Sequence, residues 1–265
     1  MFSPLALRQT PQPMTSKLLA TTFVLLLLFI WFVLTVGEAE RRIISPALLP
    51  SPIEVFGSLP SLVSERGLLP AIAATLVRVL SGFLLAVAIA VPLGILAASQ
   101  RWFEALIQPA IIGLRNVPIA ALIPITLLWF GIAEKQKIMF IFLACFPFIF
   151  ADACLAVLNV PERYVDTART LGANGRQIVQ KVLVPLALPD IFSSLRALFG
   201  LAFGYIMLAE LINTSTGLGA LINISQRRGL TQDVYMTLIV IALLAWLIDH
   251  GLAWLQRFLF PYKNA

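Results

Sequence analysis

Charged residues are scarce in this sequence of 265 residues. Only 12% of the residues are charged, whereas 60% are hydrophobic, and the mean hydropathy is +0.94. A soluble globular domain carries roughly 25% charged residues, because it must cover its surface with polar groups. The composition therefore excludes a soluble domain. It indicates that lipid surrounds much of the chain, through about six helices that each need about 20 apolar residues to cross a bilayer.

Residues that commonly carry catalysis are equally sparse. The sequence has one histidine, His250, and two cysteines, Cys145 and Cys154, which lie in an apolar stretch without a CxxC spacing. It has no HExxH, GxSxG or GxxxxGKS/T motif, and the last of these is the loop that binds nucleotide phosphates. A chain without that loop is not an ATPase. We therefore expect a protein that is not an enzyme and that holds no cofactor or metal of its own.

The net charge is +6, and the 19 Lys and Arg residues are scattered between apolar runs. Such a distribution is typical of anchors that flank membrane helices rather than of a face that binds phosphates. We therefore expect a lipid bilayer as the surroundings and no nucleic-acid partner. If both termini lie in the cytoplasm, nine basic residues, including Arg8, fall inside and seven, including Arg41, fall outside. This charge bias is too small to decide the orientation.

Six apolar runs predict an all-α membrane protein with about six transmembrane helices. The predicted spans are 18–36, 70–98, 105–132, 137–158, 186–212 and 234–256. The loop 37–68 contains four prolines, which divide it into short pieces. In that loop Ser51 and Pro52 suit the N-cap and first position of a short interfacial helix. The stretch Thr214–Gly219 predicts a turn or re-entrant segment, in which Gly217 and Gly219 can take positive φ, or else a flexible solvent loop.

The polar segment after the fourth span is longer than a simple connection requires. Residues 161–172 predict a short helix, with Pro161 at its first position and Gly172 just beyond its end. Asn174 suits the N-cap of a second helix over 175–184, which Pro185 ends. The pattern predicts two surface helices joined at a glycine. Either this is an ordinary amphipathic interfacial segment, or it is a docking element for another protein.

The same segment resembles a known motif. Asp166-Thr167-Ala168, Gly172 and the run Val182-Leu183-Val184-Pro185 are similar to the EAA loop of ABC importer permeases. The family pattern is Glu-Ala-Ala, three residues, Gly, nine residues and Ile-x-Leu-Pro. This sequence has Asp for Glu, Thr for Ala, and Val for Ile and Leu, and each change keeps the sign of the charge or the approximate size.

Flanking segments resemble the branch of that family that imports nitrate, alkanesulfonates, taurine or bicarbonate. The segments are Leu48–Pro52, Arg115–Pro118, Leu122–Pro124, Leu128–Ile132, Leu188–Ile191 and Ala209–Glu210. The resemblance implies a type I importer fold of the kind called MetI-like, and a substrate that is a small anion or, alternatively, a vitamin precursor. It also implies a second copy of the chain, forming a homodimeric pore, two cytoplasmic ATPase subunits that bind ATP and Mg, and an extracytoplasmic substrate-binding protein.

The resemblance fixes the domain organisation, because it places the EAA-like loop in the cytoplasm of a bacterial cell. The implied parts are a cytoplasmic tail 1–17, the first transmembrane helix 18–36, an extracytoplasmic loop 37–68, a permease core 69–258 with five transmembrane helices and the coupling loop 159–185, and a cytoplasmic tail 259–265. In the implied mechanism, the short helix transmits the closure of the ATPase dimer to the spans. The residues expected to contact or shape the ATPase connection are Glu162, Val165, Asp166, Thr167, Ala168, Leu171, Gly172, Val182, Val184 and Pro185.

Charged and helix-bending residues at membrane depth are the candidates for the translocation pathway, since charges there usually face a cavity or a partner. These candidates are Arg78, Arg115, Asn116, Pro118, Asp152, Arg196 and Glu210. Alternatively, Arg115 and Arg196 extend to the interface from helix ends, and Glu210 closes a gate or pairs with a basic residue. A different class of protein, a carrier driven by an ion gradient, would need paired acidic residues within the spans or internal repeats. The sequence shows neither clearly.

Overall fold

The computed structural model describes residues 13–38, 42–212 and 214–263, and regular structure in these ranges is helical throughout. The predicted tails 1–17 and 259–265 lie partly outside the described residues. Arg8 and Arg41 lie outside them altogether. The helices are α1 (Pro13–Thr35), α2 (Pro52–Gly57), α3 (Leu59–Ser64), α4 (Leu68–Ser99), α5 (Arg101–Asn116), α6 (Leu122–Phe130), α7 (Glu134–Leu158), α8 (Glu162–Thr170), α9 (Gly175–Ile178), α10 (Val184–Leu211), α11 (Leu218–Arg227) and α12 (Thr231–Leu259). Two short 3-10 turns, Ile119–Ala121 and Pro261–Lys263, and a π-helical segment, Val179–Leu183, complete the list.

Five of these helices are long and apolar enough to cross a membrane, or six if the bent pair α5 and α6 counts as one broken span. The predicted span 105–132 is present as two helices that meet at 93°, so the helix-bending residues in it do bend it. The physical cause lies at Pro118. Its ring forces Val117 out of helical geometry, to φ −70° and ψ 126°, and the proline has no N–H to continue the ladder.

The described residues form two compact units. The larger comprises residues 67–224 and 237–265, and its core is the contact between α4 and α7. Along α4, small residues repeat every four positions at Gly82, Ala86, Ala90 and Gly94. A Cβ on Gly82 would lie 2.5 Å from the carbonyl oxygen of Ile138. The stripe thus lets two helix backbones approach closely, which is how apolar helices pack where water provides no driving force between them.

The smaller unit comprises residues up to 66 together with 225–236. Its helix α2 begins as the sequence predicts, with Ser51 as N-cap and Pro52 in the first turn. Ser51 and Glu54 form a reciprocal capping box: the Ser51 amide donates to Glu54 at 2.7 Å and the Glu54 amide to Ser51 at 3.3 Å. The two chain segments of the unit are joined by the ion pair of Arg66 with Asp233.

Candidate functional site

Helix α8 presents an exposed polar face and buries one side chain. Val165 is buried, whereas Asp166, Thr167 and Arg169 are exposed. The polar residues interact mainly with their own helix: Arg169 donates to Asp166 at 3.2 Å, and Thr167 Oγ1 to the Arg163 carbonyl at 2.7 Å. The face therefore has no partner within the described residues beyond the helix itself. Pro161 occupies the N-cap, with φ −58° and ψ 131°, so the prediction that it takes the first helical position is wrong by one residue.

A glycine elbow follows α8, as the sequence predicts. Gly172 has φ +82°, a conformation that other L-residues adopt only with strain. Its N–H donates to the Arg169 carbonyl at 2.9 Å, which closes the end of the helix. Asn174 then caps α9 in a reciprocal box with Gln177. The Gly172 hydrogen bond and the capping box of Asn174 make the connection between α8 and α9 short and well defined.

Pro185 does not end the second surface helix, contrary to the prediction. The chain continues from α9 through the π-helical segment Val179–Leu183 directly into α10, where Pro185 stands in the first turn. The Val184 N–H donates to the Val179 carbonyl, five residues back. The wide π-helical turn tolerates Pro185, which has no backbone N–H to donate, so the helix continues through the proline without a break. Helix α8 is consequently linked by helical turns to the span α10, and Val182 and Val184 lie in or beside that link.

A cleft of about 330 Å³ lies behind α8, between the surface helices and the ends of α4 and α7. Its walls combine apolar side chains, including Val165, Ile178 and Val157, with the polar side chains of Ser99, Arg101, Glu162 and Arg169. Around it Ala156, Val157, Ala187 and Ile191 form a buried cluster. The loop is therefore packed onto the helix ends rather than suspended from them.

A second group of polar side chains lies far from this loop in the sequence and is called the Arg78 cluster here. It consists of Thr75 and Arg78 on α4, Glu134 and Lys137 on α7, Glu210 on α10, and Thr216. The Arg78 guanidinium uses all five of its N–H groups. Nε donates to Glu134 at 2.5 Å. Nη1 donates to Glu210 at 2.6 Å and to the Thr216 carbonyl at 2.7 Å, and Nη2 to Glu134 at 2.7 Å and to Thr216 Oγ1 at 3.0 Å.

The Glu210 carboxylate is enclosed, since its side chain has no exposed surface. It accepts from Arg78, from Thr75 Oγ1 at 2.9 Å and from the Gly219 amide at 3.0 Å. Gly217 has φ +121°, and a Cβ there would lie 2.5 Å from the Glu210 carboxylate. The segment Thr216–Gly219 is therefore ordered around this carboxylate. Gly219 has no positive φ among the described glycines, so that expectation is wrong; Gly219 lies in α11 and is needed for close approach, because its Cβ would meet Glu210.

Glu134 differs from Glu210 in exposure. Its side chain is 61% exposed, although its oxygens meet Arg78 and, at 3.1 Å, the Lys137 ammonium. The cluster holds two positive and two negative side chains, so its charges balance. Sequence reasoning singled out Arg78 and Glu210 but not Thr75, Glu134 or Thr216. The spacing of Glu134 and Lys137, three residues apart at the start of a span, indicates from the sequence that these two side chains can form an ion pair.

The remaining pathway candidates lie elsewhere in the larger unit. Arg196 pairs with Asp249 of α12. Asp152 is half-buried and interacts with Ser194 and electrostatically with Arg115. The Arg115 guanidinium lies 5.2 Å from the centre of the Phe148 ring. Asn116 and Pro118 are exposed beside the bend between α5 and α6. The structure thus distributes the seven candidates among separate contacts: Arg78 and Glu210 are hydrogen-bonded to each other, and Asp152 and Arg115 interact electrostatically.

A bundle of long apolar helices, with an exposed helix inserted between two spans, defines a polytopic membrane protein. Comparison with known proteins identifies it further. Residues 90–263 match the family described as binding-protein-dependent transport system inner membrane component. The chain is 33% identical over 243 residues to the taurine transport system permease protein of Escherichia coli, covering 90% of this chain and 87% of that protein.

Two further likenesses agree with this. A bicarbonate transport system permease protein of Synechococcus elongatus is 29% identical over 268 residues, covering 97% of this chain and 94% of that protein. The inward-facing MetNI methionine ABC transporter contains a chain with TM-score 0.65 and 22% identity, covering 72% of this chain and 94% of that chain. This likeness shows the fold.

The chain belongs to the family of binding-protein-dependent transport system inner membrane components. It is the multi-pass permease subunit of an ABC importer with the MetI-like fold that the sequence predicts. Such a subunit transports and is not an enzyme; the ATPase and the substrate-binding protein are separate partners of the family. The carrier driven by an ion gradient is not favoured.

Proposed function

We propose that two copies of this chain form the pore of an importer for a small oxyanion of the sulfonate, taurine, nitrate or bicarbonate type. In the proposed assembly both termini face the cytoplasm. The α8 helix of each copy docks on one of two ATPase subunits, which bind ATP and Mg. An extracytoplasmic binding protein delivers the substrate at the opposite side. A vitamin-precursor substrate is the second candidate within the same role.

The exposed face of α8 is the single observation that supports the docking role best. A 9-residue helix with one buried side chain and a polar outer face gains nothing for the fold by being exposed, whereas a partner protein can bury it. Its connection passes through the elbow at Gly172 and then through α9 and the π-helical segment, which continue without a break into α10, so a movement of α8 is transmitted to that span. A flexible linker in that place would absorb the motion instead.

The substrate class rests on the relatives, whose names specify taurine and bicarbonate. Both carry an oxyanion group with one negative charge near neutral pH. The described arginines of the spans are paired with carboxylates, Arg78 with Glu134 and Glu210, and Arg196 with Asp249, so the relatives rather than a charge excess support the substrate class. Such side chains at membrane depth face partners or cavities rather than lipid.

Reconstitution tests the proposal. The permease is co-expressed with a candidate ATPase and a candidate binding protein from the same organism, purified as a complex and placed in proteoliposomes, with ATP on the side of the ATPase. We expect ATP-dependent uptake of radiolabelled taurine, methanesulfonate, nitrate or bicarbonate, and none of a thiamine-type pyrimidine. Uptake of the pyrimidine alone would replace the substrate class. Uptake without ATP, driven by an imposed ion gradient, would overturn the ATP-driven role.

A further inference from the structure

Three hydrogen-bond donors on buried cations converge on one exposed carboxylate. Glu134 accepts from Arg78 Nε at 2.5 Å, from Arg78 Nη2 at 2.7 Å and from Lys137 Nζ at 3.1 Å. The side chains of Arg78 and Lys137 are only 3% and 7% exposed, whereas that of Glu134 is 61% exposed. The donors therefore belong to the packed interior, and the acceptor reaches them from the surface.

The two carboxylates of the cluster are not equivalent. Glu210 is enclosed by Thr75, Arg78 and the backbone of Gly219, with Gly217 packed against it. It cannot leave without displacing the segment around Gly217, so it neutralises one positive charge permanently. Glu134 stands at the first position of α7 and can leave by rotation of its own side chain, because nothing covers most of it.

We propose that the Glu134 carboxylate occupies an oxyanion site built by Arg78, Lys137 and Thr216, and that the oxyanion of the substrate takes its place during transport. This inference rests on the proposed function, since it requires an anionic substrate. The Nε and Nη2 edge of a guanidinium binds two oxygens of one anion side by side, as it does here with the carboxylate. Sulfonate, nitrate and bicarbonate each present two oxygens that can accept from the same Nε and Nη2 groups of Arg78.

Charge balance makes the site selective. With Glu134 in place the two cations and two carboxylates cancel. When its side chain swings away, one positive charge is left in a region from which Arg78 and Lys137 cannot reach bulk water, and an unpaired buried charge is costly. A substrate group with one negative charge, such as a sulfonate, nitrate or bicarbonate, restores the balance at the site, whereas an uncharged or cationic group does not. Thr216, whose Oγ1 accepts from Nη2, adds a hydroxyl at the edge of the site.

The binding of methanesulfonate to the complete importer in nanodiscs tests the site. Glu134→Ala removes the internal competitor, so the fraction of open sites rises and we expect methanesulfonate to bind about tenfold tighter than in the unsubstituted protein. Glu134→Gln should give a smaller gain in methanesulfonate affinity, because the glutamine amide still occupies the Nε and Nη2 edge of Arg78. Glu104→Ala is the matched control, since Glu104, like Glu134, pairs with a basic residue three positions away, here Arg101 at 2.9 Å and outside the cluster. Adding Lys137→Met to Glu134→Ala should abolish the gain.

Equal methanesulfonate affinity in the unsubstituted protein and in a folded Glu134→Ala complex would overturn the site. If Glu134→Ala does not assemble, the same comparison with Glu134→Gln decides it. The uptake assay separates this inference from the proposed function. Oxyanion uptake by the unsubstituted importer without any gain in the variants rejects the site alone, while a gain in the variants without oxyanion uptake rejects the substrate class alone.

Discussion

Arg196 on α10 and Asp249 on α12 are joined by two parallel hydrogen bonds, Nε to Oδ1 at 2.5 Å and Nη2 to Oδ2 at 2.6 Å. Nearby, Gln256 of α12 donates to Ser193 Oγ of α10 at 2.6 Å. The apolar part of α12 has no buried residue within the described chain. Polar contacts, rather than apolar packing, therefore hold this last span against α10.

Asp249→Asn should lower the stability of the detergent-solubilised permease, because Arg196 loses its charged partner. The two side chains are 33% and 46% exposed, so solvent screens the pair and we expect only a small loss. Thermal unfolding measures it. The exchanged pair, Arg196→Asp with Asp249→Arg, should recover part of the loss. An exchanged pair less stable than the single variant would show that the contact depends on more than its charges.

Glu210→Gln should destabilise the fold far more. The substitution leaves the buried Arg78 guanidinium with an uncompensated charge on its inner side, and breaking a buried pair in this way costs about 3 kcal/mol or more. Denaturant or thermal unfolding in detergent is the measurement. Glu65→Gln provides the control, because Glu65 is exposed. Similar small effects at both positions would contradict the buried arrangement.

Gly82→Ala should force α4 away from α7. The new Cβ would lie 2.5 Å from the Ile138 carbonyl oxygen and 2.8 Å from Ile141 Cβ, and such overpacking typically costs about 1–3 kcal/mol. The same change at Gly251 of α12, where no atom lies within 4 Å, should be neutral or slightly stabilising, since alanine favours helices. Comparing the melting temperatures of the two variants tests the contact. Equal melting temperatures would mean that the helices are farther apart.

Gly172→Val should weaken the connection to the ATPase without preventing membrane insertion. At φ +82° a β-branched residue is strained by roughly 1–2 kcal/mol, and the elbow relieves the strain by changing the angle of α8. Gly175→Val is the control in the same loop, because Gly175 has an ordinary φ and no atom within 4 Å of a new Cβ. Co-purification of the ATPase and substrate-stimulated ATP hydrolysis are measured together. Normal coupling in Gly172→Val would reject the docking role of α8.

The capping box of α2 should survive moderate acid because of Arg42. Its guanidinium hydrogen bonds, at 2.9 and 3.0 Å, lower the pKa of Glu54 from 4.5 to about 2. A carboxyl with a lowered pKa contributes stability above its ordinary pKa and loses it as the pH falls through the folded value. The contribution is therefore fully present above 4.5 and is lost toward 2.

Hydrogen exchange of the Ser51 amide, which donates to Glu54, reports on this box. At about pH 3 the amide should stay protected in the unsubstituted protein and lose protection in Arg42→Gln, where Glu54 is protonated at that pH. At about pH 6 both proteins should protect it equally, because the carboxylate is ionised in each. Equal protection at both pH values would show that Arg42 does not set the pKa of Glu54.

Long apolar runs predict most of the fold, because only a helix satisfies its own backbone groups in lipid. The position of α10 and the capping of α2 and α9 follow from such local rules. Pro118 indicates a bend in the third span, but the angle of that bend and the π-helical segment do not follow from local rules, because both depend on how a proline is accommodated. Pro118 breaks a helix, whereas Pro185 is absorbed into one, and the sequence around each gives no clear preference.

The candidate site was predictable in part. The motif around Asp166 and Gly172 is contiguous, so a single sequence reveals it. The Arg78 cluster is assembled from positions up to 141 residues apart, as in Thr75 and Thr216, and only the fold brings them together. Arg78 and Glu210 stand out because charges are rare in apolar runs, but their partners Glu134 and Thr216 lie at helix boundaries, where polar residues are ordinary.

The π-helical segment between Val179 and Leu183 holds one residue more in its turn than an α-helix does. One residue advances an α-helix by about 100° and 1.5 Å. If this segment regained α-helical hydrogen bonding, everything before it, including α8, would rotate relative to α10 by about a quarter of a turn. The extra residue would therefore allow α8 to change its orientation relative to α10 in one step of helix register, rather than by a gradual bending of the chain.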